Sequence, residues 1–367
     1  MARKYSLPTK VIFGEKSFQQ LFSELSVAQV KKPLIICGNH FINSFKFRDI
    51  EEKIPVFELF SGVEENPSTA TADAAAKVLN EGGCDAVIGI GGGSAMDVAK
   101  VVACMKGCGK SCESFYRQIK ITGKNRVPFF ALPTTSGSGS EVTKYSVLTL
   151  LSGEKKSISD NKFYARVALV DPELTYTMSP EVTASCGVDA FCQAIEAYWA
   201  GTATTETGRY AAEAIQLAYH NLFKAVNDPD KQVRQNMSLA SLRSGQAFGQ
   251  TGTTAPHGCS YAFTKYYGLP HGFAVGITLP WFLGFYAEKR GKKCLEICNI
   301  LGAKTIPEGK EKIIGFLASV GAPTRLDEIG CPRSDFPKII EMCMGQRPQN
   351  PRGHSRGDIE RMLNEIY

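Results

Sequence analysis

The stretch Asp85-Ala-Val-Ile-Gly-Ile-Gly-Gly-Gly-Ser-Ala-Met-Asp-Val-Ala-Lys100 constrains this chain most, because an apolar run feeds straight into three glycines and then into a helical pattern. It predicts a strand, a phosphate-cradling turn and a helix. Glycines let the backbone reach positive φ and let a ligand come close to bare amide N–H groups. Ser94 stands where an N-cap is expected and Asp97, three residues on, falls at a capping-box position, where a carboxylate also suits the positive end of the helix dipole. Such a helix start attracts a phosphate group. The strict dinucleotide fingerprint G-x-G-x-x-G is absent, since Ser94 takes the place of its last glycine.

The rest of the first half repeats the strand and helix rhythm. Strands are predicted at Lys10 to Phe13, Leu34 to Cys37, Val56 to Phe60, Asp85 to Ile90, Phe129 to Leu132 and Val167 to Val170, with amphipathic stretches at Phe18 to Leu25, Phe47 to Lys53, Thr71 to Glu81 and Ala95 to Met105 between them. Alternation of this kind builds a parallel sheet, and ligands bind such sheets beyond the carboxyl ends of the strands. Three strand exits carry polar or turn chemistry, namely Gly38-Asn39, Gly91 to Ser94, and the hydroxyl-rich Pro133 to Val142, and they are expected to converge on one cleft. Val147 to Ile158 reads as a hairpin turning at Ser152-Gly153. After Asp171-Pro172 the strand patterns stop and helical periodicity takes over, in eight stretches beginning with Thr183 to Trp199 and ending with Ser355 to Tyr367. Two domains follow from this change: an α/β nucleotide-binding domain, Rossmann-like, over 1–175 and an all-helical domain over 176–367.

A chain of 367 residues is long enough for two cores, since single cores stop growing near ~250 to 300 residues. No apolar run approaches the ~18 residues of a membrane span. No apolar segment follows the N-terminal Met-Ala-Arg-Lys-Tyr-Ser-Leu-Pro, so no secretory signal is expected. Twelve dispersed cysteines read as reduced thiols in a cytoplasm. Cys104, Cys108 and Cys112 share a spacing of four that would suit one helix face and a metal, but Gly107 and Gly109 interrupt it. The net charge of +6 is dispersed, which suits an anionic small ligand better than nucleic acid.

Of only five histidines, two stand in a matching frame, Pro256-His257-Gly258 and Pro270-His271-Gly272. Upstream, Asp189 and Gln193 are four apart and share a helix face. One carboxylate oxygen, one amide oxygen and two imidazoles would make a four-coordinate site for a borderline divalent ion; structural packing of the two histidines beside glycine loops is the other reading of the same residues.

The two halves together resemble the iron-containing alcohol dehydrogenase family. The resemblance runs through Phe60 to Val63, Asn66 to Ser68, Gly91 to Lys100, Pro133 to Thr143, Asp171 to Thr175, Gly187 to Ala190, Ala194 to Tyr198 and Asn350 to Arg352. It implies an α/β nucleotide domain, a helical second domain and a cleft holding NAD(P) and a divalent metal, Fe²⁺ or Zn²⁺ foremost. Carried over by position, Gly92, Gly93, Ser94 and Asp97 hold the pyrophosphate and nicotinamide side, Thr134, Thr135 and Ser138 face them, Lys155 reaches the ribose, and Gly38, Asn39 and Asn66 complete the cofactor set. Asp189, the residue at 193, His257 and His271 are the implied metal ligands.

This chain departs from the family at three places. Gln193 stands where the family has a histidine ligand, and an amide oxygen is the weaker, harder donor. Tyr261 replaces a further histidine; a phenol suits hydrogen-bond donation, so Tyr261 and Asp97 are taken as the candidate catalytic residues. Gly38-Asn39 replaces an aspartate that would repel a 2′-phosphate, so NADP is favoured over NAD, with His40 or Lys46 placed to approach it. The implied reaction is reversible hydride transfer between nicotinamide and a small aldehyde or alcohol. Lys144, Arg209 and Arg352 would favour an anionic aldehyde such as phosphonoacetaldehyde. The resemblance also implies at least a homodimer, with no nucleic-acid or membrane partner. The alternatives are a non-redox enzyme similar to dehydroquinate synthase and an inactive nucleotide-binding relative.

Overall fold

The computed structural model describes residues 6–118 and 125–367, so the first five residues of the N-terminal run lie outside the described residues. The chain folds into two units, one of Leu7–Thr135 with Gly139–Tyr176 and one of Thr177–Tyr367 with Ser136–Ser138.

The first unit runs β1 (Lys10–Phe13), α1 (Gln20–Val27), β2 (Pro33–Cys37), α2 (Asn39–Ile42), α3 (Phe45–Lys53), β3 (Glu58–Phe60), α4 (Thr69–Glu81), β4 (Ala86–Gly91), α5 (Gly93–Ala103), α6 (Cys112–Gln118), β5 (Phe129–Pro133), β6 (Tyr145–Thr149), β7 (Lys155–Ser159) and β8 (Val167–Val170). Six strands make one parallel sheet in the order β1-β8-β5-β4-β2-β3, and β6 pairs with β7 as an antiparallel hairpin. β2, β4, β5 and β8 are buried almost throughout, which is why their sequences are unbroken apolar runs. The strand order reverses beside β2: the chain steps out to β3 and then returns to lay β4 on the other flank of β2. At such a reversal the connections leave in opposite directions and open a crevice at the carboxyl edge. The pairing of Cys37 with Ile90 brings the next residues, Gly38 and Gly91, to that edge together.

The predicted strand at Val56 to Phe60 is cut to Glu58–Phe60, since β3 is an edge strand paired only with β2. Ser94 is not the N-cap. Gly92 is, and Ser94 lies inside the first turn of α5, because the chain becomes helical at Gly93, two residues after the bend at Gly91. Cys104, Cys108 and Cys112 do not share a helix: Cys104 caps the end of α5 and Cys112 opens α6. All twelve cysteines are free thiols.

The second unit is helical: α7 (Pro180–Trp199), α8 (Thr205–Asn227), α9 (Lys231–Thr251), α10 (Ala255–Tyr267), α11 (His271–Gly276), α12 (Leu279–Ile300), α13 (Ile306–Ser319), α14 (Phe336–Cys343) and α15 (Arg356–Glu365). α7 opens with Ser179 accepting from the Val182 amide and Pro180 in the first turn, a standard start. From Gly187 to Ala197 it is buried all round, so it is the helix about which the unit packs. The stretches Trp281 to Ala287 and Leu295 to Leu301, read as two helices, fall on either side of the non-helical backbone at Arg290, so that α12 is two helices joined at a kink. α10 and α11 have no counterpart among the predicted helices, because their Pro-His-Gly starts carry no helical periodicity. No described helix is long and apolar enough to cross a membrane.

Candidate functional site

In the α/β unit the turn between β4 and α5 is fixed by Gly91. Its φ is +154°, and a Cβ there would lie 2.7 Å from that of Ala95, so a side chain is excluded twice over. The Gly91 carbonyl accepts from the Thr134 amide at 2.9 Å, which ties the exit of β5 to that of β4. Thr135 packs over Gly92, its Oγ1 within 3.2 Å of where a Cβ would be. Gly92, Gly93, Ser94, Thr134 and Thr135 are therefore gathered, half-buried, at the reversal point of the sheet, beside Gly38 at the start of α2. Asn39 is exposed, and Asn66 is exposed with φ +55°. Lys155 begins β7 and is half-buried. Ser138 groups with the helical unit.

Asp97 has a different place from the one its spacing suggests. It is not in a capping box: Oδ1 accepts from Ser140 Oγ at 2.7 Å and Oδ2 from the Val147 amide at 2.9 Å. The fully buried Lys100 ammonium stands 3.5 Å away and donates to Ser140 Oγ, Thr143 Oγ1 and the Tyr145 carbonyl. This network fastens α5 to the hydroxyl-rich segment, which is thus ordered structure rather than a linker. Lys46 does not reach toward a ribose, since it is buried in an ion pair with Glu173 at 2.6 Å. Arg352 is likewise engaged, paired with Glu288 and lying over the Phe285 ring. Arg209 lines a cavity of about 470 Å³ in the helical unit with Tyr198, Arg290, Lys293 and Glu296.

In the helical unit, Asp189 on α7, His257 on α10 and His271 on α11 bring one ligand atom each within 4.8 Å of the others. Asp189 Oδ1 lies 3.3 Å from His257 Nε2 and 3.8 Å from His271 Nε2. α11 approaches α7 so closely that a Cβ on Gly272 would collide with the Ser185 carbonyl oxygen, so the glycine after His271 is what sets that histidine beside Asp189. One carboxylate and two imidazoles, buried or half-buried and aimed at a common point, fit a borderline divalent ion. Gln193 Nε2 donates to Asp189 Oδ2 at 2.8 Å, and Gln193 Oε1 accepts from Ser244 Oγ at 3.1 Å. Tyr261 lies one turn beyond His257 on α10, half-buried.

Glu196 and Ser244 are the functional neighbours to which the sequence alone assigns no role. Glu196 is fully buried, and its Oε1 accepts from the Thr254 amide and hydroxyl and from the His257 amide, so it satisfies the open donors at the start of α10. Its Oε2 meets His257 Nδ1, which leaves Nε2 to face Asp189. Burial alone would lower the His257 pKa, but the Glu196 and Asp189 carboxylates outweigh it and push it up to about 9. Burial works against ionised Asp189, yet the two imidazoles and Gln193 hold its carboxyl below the usual range. A signal for Glu196 is present in the sequence: it is seven residues after Asp189, and so on the same face of α7.

The family model for iron-containing alcohol dehydrogenase matches residues 8–172, and the C-terminal model of the Fe-containing alcohol dehydrogenase family matches 183–367. Long-chain-alcohol dehydrogenase 1 of Geobacillus thermodenitrificans is 33% identical over 303 residues, 79% of this chain and 76% of that protein. The NADPH-dependent butanol dehydrogenase of Clostridium saccharobutylicum is 28% identical and matches over 99% of this chain and 98% of its own. The crystal structure of sulfoacetaldehyde reductase from Bifidobacterium kashiwanohense in complex with NAD⁺ superposes with a TM-score of 0.95 at 29% identity, covering 100% of this chain and 99% of that one. A parallel-sheet unit with a glycine turn at its reversal point, a helical unit with an Asp-His-His cluster, and family matches over both show that the chain belongs to the iron-containing alcohol dehydrogenase family.

Proposed function

We propose that the chain is a metal-dependent NAD(P)-linked alcohol dehydrogenase that interconverts a small aldehyde and its alcohol, with Asp189, His257 and His271 as metal ligands. The observation that carries this reading is the convergence of Asp189 Oδ1, His257 Nε2 and His271 Nε2 on one point, from three different helices. When bound, the nicotinamide supplies the hydride and a divalent ion supplies Lewis-acid polarisation of the carbonyl oxygen. The chain's part is to bind and orient. Main-chain N–H groups at Gly92, Gly93 and Ser94 meet the pyrophosphate at the positive end of α5, with Thr134, Thr135 and Ser138 as hydroxyl donors and Lys155, Asn39 and Asn66 toward the ribose and adenosine side. Asp97 is given a positioning role, since both its oxygens are engaged by Ser140 and Val147. Tyr261 is the proposed proton donor; in support, it is half-buried and stands one helical turn beyond His257 on α10.

NADP is the proposed cofactor, on the absence of a carboxylate at Gly38-Asn39 and with the NADPH-dependent relative in support; Lys46 takes no part. An anionic aldehyde is the proposed substrate class, supported by Lys144, which has no ion pair among the described residues, and by the likeness to a sulfoacetaldehyde reductase. A cytoplasmic location accords with twelve free thiols, and a homodimer is the proposed assembly. The test is steady oxidation of NADPH and NADH with sulfoacetaldehyde, phosphonoacetaldehyde and propionaldehyde, in protein loaded with Fe²⁺, Zn²⁺ or Mn²⁺ and in chelator. Metal-dependent net turnover with an anionic aldehyde is expected. No net turnover with any pairing would return the chain to the cyclase or inactive alternatives.

A further inference from the structure

Resting on the metal reading above, we propose that the ion is held by three protein ligands only, Asp189 Oδ1, His257 Nε2 and His271 Nε2, and that Gln193 is a positioning residue for Asp189 rather than a fourth ligand. The two oxygens of Asp189 keep different company. Oδ1 faces both imidazoles, whereas Oδ2 is turned to Gln193 and takes its amide N–H at 2.8 Å. The other end of the same amide is occupied as well, by Ser244 Oγ at 3.1 Å. Gln193 and Ser244 are both buried, so water does not compete for either bond.

The orientation of the amide follows from this chemistry. A carboxylate oxygen only accepts, so the group beside Oδ2 has to be the NH₂ end. Turning the amide oxygen toward the ligand atoms would set it against Oδ2, acceptor to acceptor in a buried place. An imidazole at 193 would have a lone pair to offer; the glutamine found here directs its donor to Asp189 instead, fixing which oxygen remains for the ion. One carboxylate and two imidazoles leave the remaining coordination positions to solvent and substrate. A two-histidine, one-carboxylate set with open positions is the arrangement that both catalytic Zn²⁺ and non-haem Fe²⁺ sites use, so it leaves room for substrate beside the ion whichever metal is held.

The experiment compares the Mn²⁺-loaded full chain with its Gln193→Met and Gln193→His variants by water-proton relaxation, alongside Mn²⁺ affinity from equilibrium dialysis. Gln193→Met is expected to leave the relaxation of bound Mn²⁺ unchanged and to weaken affinity about tenfold, as loss of a group that orients a ligand does. Gln193→His is expected to lower the relaxation, because an added imidazole displaces a solvent molecule, and to tighten binding. The reverse pattern, a rise in Gln193→Met with no change in Gln193→His, would show that Gln193 already ligates and overturns the inference. A wild-type chain that takes up no Mn²⁺ overturns it together with the metal centre. Since relaxation is read without substrate, failure of the dehydrogenase reading shows separately, as a Mn²⁺-loaded protein that reduces no aldehyde.

Discussion

At the β4–α5 turn the groups offered to a ligand are main-chain amides exposed by Gly91 and Gly92, and the ionic side chains nearby, Asp97 and Lys100, are already bound to each other and to Ser140, Thr143 and Val147. In the helical unit the offered groups are side chains, Asp189, His257 and His271, held by further side chains in Glu196 and Gln193. On the proposed reading, the first arrangement recognises an anion through dipoles that lose nothing by staying solvated. The second concentrates carboxylates around imidazoles and is balanced only by a proton or a cation. The two regions should therefore fail differently when single residues are changed.

The largest effect is expected from Asp189→Asn, which removes the carboxylate oxygen common to both imidazole contacts. Metal content should drop to background and aldehyde reduction by about 10³-fold, the several kcal/mol that an electrophilic ion contributes. Coenzyme affinity, from quenching of protein fluorescence, should stay at the wild-type value. Equal loss of both would mean that the regions are not separable as described.

Two buried glutamates sharpen the contrast. Glu196 has donors on both oxygens; Glu141, in the α/β unit, is buried without an ion pair among the described residues, and burial pushes its carboxyl up to about 7 against the opposing pull of its own amide and Lys100. In the unfolded chain it would titrate near 4.5. Between these values the folded chain holds more protons, so stability is greatest below the lower one and falls as pH rises through the upper one, by about 3 kcal/mol at most. Glu141→Gln should remove that slope, gaining stability at pH 8 and little at pH 4 in urea unfolding; a variant equally destabilised at both would place a specific partner on Glu141.

Glu196→Gln should act on the other unit. An amide cannot accept on both sides, so either the α10 start or His257 Nδ1 loses its partner, and metal affinity should fall about 30-fold with coenzyme binding intact. The ¹⁵N shifts of His257 report the tautomer directly and should change in this variant.

One of these regions is easier to see in the sequence than the other, for a physical reason. The glycines of the β4–α5 turn directly follow a buried strand, so Gly91 to Gly93 are legible as written, and the strands around them are legible because two-sided burial makes apolar runs. The partners of Asp97 are not legible: Ser140 and Val147 are 43 and 50 residues away, and the capping pattern points to a local partner where the real ones are distant. In the helical unit the two Pro-His-Gly frames mark the histidines, while their helices escape because Pro and Gly at the starts break the periodicity. Gln193 can be placed on the Asp189 face by spacing, but which end of its amide points where depends on Ser244, 51 residues on.

The smallest effect, and the one that most directly isolates the glycine turn, is expected from Gly91→Ala. The added Cβ would lie 2.7 Å from that of Ala95 at a φ of +154°, so the turn must shift, and the amides of Gly92 and Gly93 with it. Strain of this kind costs of order 1–3 kcal/mol, only part of which falls on the ligand-free state. Coenzyme affinity should weaken about tenfold while Mn²⁺ content stays at the wild-type level. The Thr134 amide, bonded to the Gly91 carbonyl at 2.9 Å, would register the shift as faster hydrogen exchange. Unchanged exchange at Thr134 together with unchanged coenzyme affinity would show that the bend at Gly91 is a feature of chain geometry alone and that the dipoles which meet the nucleotide lie elsewhere along the sheet edge.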